Sequence, residues 1–409
     1  MANLILTDLT APGGLWSIMI NWINQSTLNF AWAVILFTLL IKLILSPFDF
    51  WIKFSTKKST LIQQKCAPQI AKMQKKYGNN QQQMQLQQQA IYKKEGLNMG
   101  ASCLVMLVNL IVTILVFFSI YTTLRESSAY YAIRQYQELD AAYSNAYNAV
   151  YAGYETEALA GVEGYNALTF NEETASVELK TAVLNAKAQA AANAHNDPSV
   201  NQAVTDKWDE VKDSWLWITN IWVNDGRADA LPTYDALSKL ASNAGGMFNS
   251  GVKDEYVNFV NSIDKDHYSQ VTQSVIVNLS GWNGYYILAV AAGIVTFLST
   301  LVSEKANKLN RKQEKRKTNQ FIKSAEPEVA QSPVAQSGST MKIMKLVMPI
   351  IMIIFVVTSS AAFGIYIVTQ SIVGIGIGAS INLIVNKLTY KKQLEVNEYL
   401  DKIERKSLK

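Results

Sequence analysis

FTLLIKLILSPF, residues 37–48, decides the fold of this 409-residue chain. Eight of these twelve residues are Phe, Leu or Ile, and only Lys42 is charged. The run lies at the end of an apolar stretch over 28–48, and about 20 largely apolar residues cross a bilayer as a helix. A cation inside such a helix costs about 2.5–3.5 kcal/mol on insertion scales, so it needs a partner or water. Two readings of Lys42 stand on these residues. It snorkels to the near interface, since Pro47 is only about 7–8 Å further along the helix. Or it lies in a hydrated hollow inside the bundle.

Outward from this run, four more stretches are apolar enough to span: 99–124, 282–302, 343–358 and 363–386. The whole chain is 49% hydrophobic and 17% charged, against about 25% charge in soluble domains. The first basic residue is Lys42, so the charged start of a signal peptide is not expected, nor a lipid-bearing cysteine near the N-terminus. LWSIMINWIN (15–24) reads as a short interfacial helix with Trp16 and Trp22 at headgroup level, or as an extension of the first span.

Charge orients the chain. Residues 52–98 carry nine Lys or Arg and one acid, 303–342 carry nine basic residues, and 387–409 carry seven. Residues 125–281 carry ten basic residues against 21 acids. The excess of positive charge on the cytoplasmic side then places the N-terminus outside and the C-terminus inside. The expectation is an all-α membrane protein of five transmembrane helices, with a cytoplasmic helical hairpin and a large external insertion. Its parts are an external N-terminus (1–27), the first span (28–51), the hairpin (52–98), the second span (99–124), the mostly helical insertion (125–281), the third span (282–302), a cytoplasmic loop (303–342) with a flexible linker over 324–339, the fourth and fifth spans (343–386) and a basic tail (387–409).

In the hairpin, Leu61, Ile62, Cys66, Ile70, Met73 and Tyr77 recur at helical spacing. Gly78-Asn79-Asn80 is a turn signal, and the Gln-rich run 81–89 reads as a second helix rather than a disordered tract. The tryptophans Trp208, Trp215, Trp217 and Trp222 form a small core or lie on the outer leaflet.

Signatures of catalysis are missing. There is no phosphate-binding glycine loop, nucleophile motif or metal-ligand spacing, and Cys66 and Cys103 make no disulfide framework. No catalytic residue, cofactor or metal is expected. The other four spans hold no interior acid, so Lys42 is read as an unpaired cation among neutral polar groups: Thr38, Asn109, Thr113, Thr369, Gln370 and Ser371. Singly these are helix-packing contacts. Together with Lys42 they suit a groove that draws negative charge. The alternative is a transporter or channel subunit with an extracellular domain, which would want carboxylates or broken helices at mid-bilayer; Gly374, Gly376 and Gly378 are the one hint of a break. A binding module merely anchored by these helices is the third class, and it has no need of an intramembrane lysine.

Residues 66–78 (CAPQIAKMQKKYG), then a polar helix and IYKKEGLN (91–98), resemble the cytoplasmic hairpin of the YidC, Oxa and Albino insertase family. Residues 37–48 are similar to that family's first core span, with Lys42 at the place of its groove arginine and Pro47 at its proline. Asn98, Gly100 and Cys103 resemble the start of its second span, WLWITNIWVNDGRADALPTY (215–234) its aromatic segment, and Met348-Pro349 and Phe363-Gly-Ile-Tyr366 its closing hairpin. The resemblance implies a five-helix insertase core in a bacterial plasma membrane, its hydrophilic groove open to cytoplasm and lipid. The groove cation would attract polar or acidic parts of a nascent membrane protein, and the hairpin residues Pro68, Lys75, Lys76, Tyr77 and Tyr92 would meet that chain first. The partners implied are nascent membrane proteins, the lipid bilayer and the Sec translocon. The tail could add phosphate contacts to the ribosome, but Glu395, Glu398, Asp401 and Glu404 dilute it and favour a plain topology signal. Three features depart from the family: lysine replaces arginine, the second span lacks a proline, and the external segment is long. No further span or domain is expected before the core, as in the Gram-positive arrangement.

Overall fold

Pro47 and Pro68 both lie inside one helix. A proline removes the N–H that would bond the carbonyl four residues back, which for Pro47 is that of Leu43. The Ser46 hydroxyl donates to that carbonyl at 2.8 Å instead, so the helix continues. The computed structural model describes residues 8–27, 29–77, 80–97, 99–227, 229–245, 251–278, 282–302 and 337–407. In order, its helices are α1 (Leu15–Asn24), α2 (Phe30–Tyr77), α3 (Gln81–Lys94), α4 (Met99–Ala160), α5 (Val177–His195), α6 (Pro198–Val211), α7 (Tyr234–Asn243), α8 (Lys253–Ser262), α9 (Lys265–Asn278), α10 (Ile287–Val302), α11 (Ser337–Thr358) and α12 (Ala361–Ser407). Among the described residues the sole β pairing is an isolated bridge between Trp215 and Ile218.

Three of these helices are long and apolar enough to cross a membrane: α2 within Phe30–Met73, α4 within Leu107–Ala160 and α12 within Ala361–Ile403. Ile287–Val302 and Val347–Thr358 are shorter apolar helices. The expected boundaries at 51/52, 124/125 and 386/387 all fall inside continuous helices. Apolarity ends at those points, but the helices run on, through Pro68 in α2 and Gly153 in α4, since a formed helix propagates at little cost. The Gln-rich run is helical, and Asn80 caps it by accepting from the Gln83 amide. Residues 78 and 79 of the expected turn, and the expected loop as far as 336, lie outside the described residues. From 337 the chain is already α11, so the end of the expected linker is helical.

The chain divides into two units. The first comprises the stretch ending at Ala33, Ser119–Ile287 and Val356–Gly364. Its core forms along α4, where Ala129, Ile133, Tyr136, Tyr143 and Tyr147 recur at helical spacing and are buried. Against them pack Val200, Val204 and Trp208 of α6, Leu237 of α7, Tyr256 and Val260 of α8, and Tyr268, Val271 and Val275 of α9. Caps start the surrounding helices: Ser176, Asp197 and Thr233 accept from the amides of Leu179, Ser199 and Ala236.

Trp208 and Trp222 are fully buried. Trp222 stacks on Tyr131 at 4.3 Å between ring centres and meets Phe30 edge-on at 4.5 Å. These two tryptophans are core residues, whereas Leu216, at the tip of the Trp215–Ile218 turn, is 72% exposed with φ at 52°.

Two loops of this unit are closed at their necks. The Gln135 side-chain amide donates to the Val211 carbonyl at 3.1 Å. The Gly284 amide donates to the Gly226 carbonyl at 3.1 Å. A Cβ on Gly284 would collide with the Asp225 carboxylate, and one on Gly226 would stand 2.8 Å from the Tyr286 ring, so both positions need glycine.

The second unit comprises Val34–Phe118, Leu288–Phe355 and the chain from Ile365 on. At the hairpin, Cys66 of α2 packs with Tyr92 of α3 and with Leu97, and Lys65 bonds Glu95 at 2.6 Å. The end of α12 is not a free tail: Val396 and Leu400 pack on Leu61 of α2.

Candidate functional site

Within the second unit, three apolar helices each turn one stripe toward a shared hollow. From α2 come Thr38, Ile41, Lys42, Leu45, Phe48 and Asp49; from α4, Asn109, Val112, Thr113, Val116 and Phe117; from α12, Tyr366 and Gln370. The steps of three, four and seven residues keep each set on one helix face. The cavity holds about 580 Å³ of empty space, part of it open to the surroundings.

Its walls are apolar and its polar groups few. Lys42 is half-buried, and no hydrogen bond or ion pair ties it down among the described residues. The Thr38 hydroxyl donates to the Val34 carbonyl of its own helix at 2.6 Å, which leaves its oxygen free to accept. Gln370 Oε1 is buried without a partner among the described residues. An unpartnered buried amide oxygen costs free energy unless water or a ligand reaches it, and the empty space beside it can admit either. The arrangement offers one cation, several amide and hydroxyl groups and apolar walls. It can hold a polar segment beside a hydrophobic one, and it has no nucleophile set against a base. Among the described residues, no group of three or more His, Cys, Asp or Glu could hold a metal ion.

The structure therefore gathers Lys42, Thr38, Asn109, Thr113 and Gln370 around one cavity. Ser371 is half-buried on α12 and does not line it, since one residue turns a helix by about 100°. Sequence reasoning missed Asp49 and Tyr366. Asp49 lies one residue past the 28–48 run and seven after Lys42, so a search for acids in the other spans passes over it. Lys42 is thus not alone among neutral groups, because a carboxylate lines the same hollow and acts on it by charge. Tyr366 is 3% exposed, and its spacing of four from Gln370 was the available signal.

The hairpin residues lie elsewhere in this unit. Pro68 is buried inside α2, Lys76 is exposed near its end, and Tyr92 is buried against Cys66 with its hydroxyl accepting from Gln88 at 3.3 Å. The side chains of Lys75 and Tyr77 lie outside what the structure describes. Cys66 packs among Tyr92, Leu97, Ile62, Ile70 and Ile91, and burial pushes its thiol up from the usual range, as expected of an inert packing cysteine.

Comparison with known proteins follows the same residues. The family model described as 60Kd inner membrane protein matches residues 22–162, which hold α2, α3 and α4. The chain is similar to the membrane protein insertase YidC of Thermotoga maritima, 35% identical over 89 residues, covering 22% of this chain and 19% of that protein. To the YidC of Helicobacter pylori strain 26695 it is 33% identical over 107 residues, covering 26% and 18%. To that of Marinomonas sp. it is 33% identical over 127 residues, covering 29% and 22%. The chain thus spans about a fifth of the length of the curated relatives it matches. No solved structure matches it. Over residues 22–162, the segment that carries Lys42, Asp49, Asn109 and Thr113, this chain matches the model of the 60Kd inner membrane protein family, and over 89 to 127 residues it is similar to YidC membrane protein insertases.

Proposed function

We propose that this chain is a membrane protein insertase and chaperone of a bacterial plasma membrane. It acts on nascent membrane proteins without a covalent step and uses the α2–α4–α12 cavity as a hydrophilic groove open to cytoplasm and lipid. The observation that carries this reading is a half-buried lysine among polar side chains, held by three helices whose other faces are apolar. A hydrated hollow shortens the hydrocarbon that a polar tail must cross. Lys42 attracts acidic groups in that tail, and charge pairs count for more at low dielectric. Exposed leucines and isoleucines on the same helices, such as Leu39, Leu43 and Ile114, give the hydrophobic segment a path into lipid.

In this reading α2, α4, α10, α11 and α12 supply five spans, with the N-terminus outside and the C-terminus in the cytoplasm. The α2–α3 hairpin receives the nascent chain through Lys75, Lys76 and Tyr77, while the buried Tyr92 holds α3 against Cys66 of α2. Val396 and Leu400 hold the end of α12 on Leu61, which favours a structural role for that segment over ribosome binding. The Sec translocon is a further partner by analogy with the family alone. The second reading is a solute transporter, and its supporting observation is the carboxylate of Asp49 in the cavity.

The test is to express the full chain in a bacterium depleted of its own insertase. Restored growth and protease-protected insertion of single-span reporters are expected. Lys42→Glu should lower insertion of reporters with acidic external tails by about tenfold or more, equivalent to about 1.4 kcal/mol per factor of ten, while Lys42→Arg is tolerated. Full activity of the Glu variant would remove Lys42 from the mechanism, and failure of the wild type would leave the transporter reading.

A further inference from the structure

Lys42 and Asp49 are the charged side chains that line the cavity. Seven residues on one helix are about two turns, so the two project from nearly the same face of α2. Lys53, four residues beyond Asp49, continues that row. The result is cation, anion, cation along one stripe, and the central carboxylate acts by charge on both lysines.

Asp49 is nevertheless not consumed by either neighbour. Its carboxylate forms no ion pair within 4.0 Å among the described residues. The Lys53 ammonium donates elsewhere, to the Gly378 carbonyl of α12 at 3.1 Å. Glycine at 378 leaves that lysine room, since a Cβ there would stand 3.4 Å from its nitrogen. The cavity therefore holds an acceptor-only anion with open capacity beside a donor-only cation. A cavity with Lys42 alone would favour anions and repel cations. With Asp49 present, the field that a passing segment meets is that of a separated charge pair.

We propose that Asp49 sets the charge specificity of this cavity, so that polar segments bearing basic residues are accepted alongside those bearing acidic ones. The assignment rests on the insertase reading and deepens it. A basic side chain entering the cavity finds the Asp49 carboxylate as its partner while Lys42 is left to water. An acidic one finds Lys42, with its attraction moderated by Asp49. Neutral amide or hydroxyl side chains bond Gln370, Asn109 or Thr38 and are indifferent to the pair.

The experiment uses the full chain in membranes of an insertase-depleted bacterium. Three single-span reporters share one apolar span and differ only in external tails that carry acidic, neutral or basic residues. Protease protection gives the ratio of acidic-tail to basic-tail insertion, which does not depend on how much folded insertase is present. Wild type should insert both within about threefold of each other. Asp49→Asn should raise the ratio about tenfold, Asp49→Ser should do the same, and Asp49→Glu should keep the wild-type value. A ratio that stays within twofold of wild type in both neutral variants, with insertion intact, overturns the role of Asp49 alone. No insertion of any reporter by the wild type overturns the insertase reading and this assignment with it.

Discussion

Asn220 ties three segments of the first unit together with one side chain. It is fully buried, and its amide nitrogen donates to Gln135 of α4 and to the Ala230 carbonyl, both at 2.9 Å. Its backbone amide donates to the Asn283 side chain at 2.7 Å, and Asn283 in turn donates to the carbonyls of Asn220 and Asn224. Each buried partner left unpaired costs about 1–3 kcal/mol. Asn220→Leu should therefore lower the stability of this unit by about 2–4 kcal/mol. Denaturant unfolding followed by tryptophan fluorescence checks this through the neighbouring Trp222, and an unchanged midpoint would show the network to be dispensable. Lys42 makes a contrasting case at the same scale: no hydrogen bond or ion pair ties it down among the described residues, so its variants should change insertion and leave the unfolding midpoint alone.

At the scale of elements, α4 and α9 meet through the charged pair His267 and Asp140, 2.7 Å apart. The hydrogen bond to Asp140 holds the imidazole above its usual range, although burial works against it. A group whose folded value is raised stabilises fully below its unfolded value, about pH 6.5, and the contribution is lost as pH rises through the folded value. The first unit should thus resist proteolysis better at pH 6 than at pH 8.5, and His267→Gln should flatten that dependence. An equal slope in the variant would assign the pH effect to other groups. The same element scale explains what composition conveys about α2, α4 and α12. Their apolar runs were plain in the sequence, but where each helix ends was not, because lipid-facing and water-facing turns make identical backbone hydrogen bonds.

At the scale of the whole molecule, residues 125–281 hold two loops that share one core. Residues 129–147 and 194–208 pack with 230–275, while the two loops close at separate necks, 135 with 211 and 226 with 284. Removing 140–207 alone would strip Tyr143, Tyr147, Val200 and Val204 from that core, so the remainder should become protease-sensitive and the chain poorly accumulated. Removing 140–207 and 229–281 together, with short links at the two necks, should leave insertion within about twofold of wild type, a change of under about 0.5 kcal/mol. The growth of the depleted strain measures both. Survival of the single excision with a protease-resistant remainder would show that the α7–α9 part folds by itself.

The sequence by itself determined that the chain is helical and membrane-spanning in composition, and that Lys42 must find water or a partner, because the cost of burying apolar backbone and charge in hydrocarbon depends on residue type alone. It also carried Thr38, Asn109, Thr113 and Gln370 as isolated polar points. Only the tertiary structure decided that these points face one hollow, that Ser371 does not, and that Asp49 does. It alone buried Trp208 and Trp222 while leaving Leu216 exposed. Which face of a helix meets another is fixed by packing between segments far apart in the chain, and local spacing does not specify it.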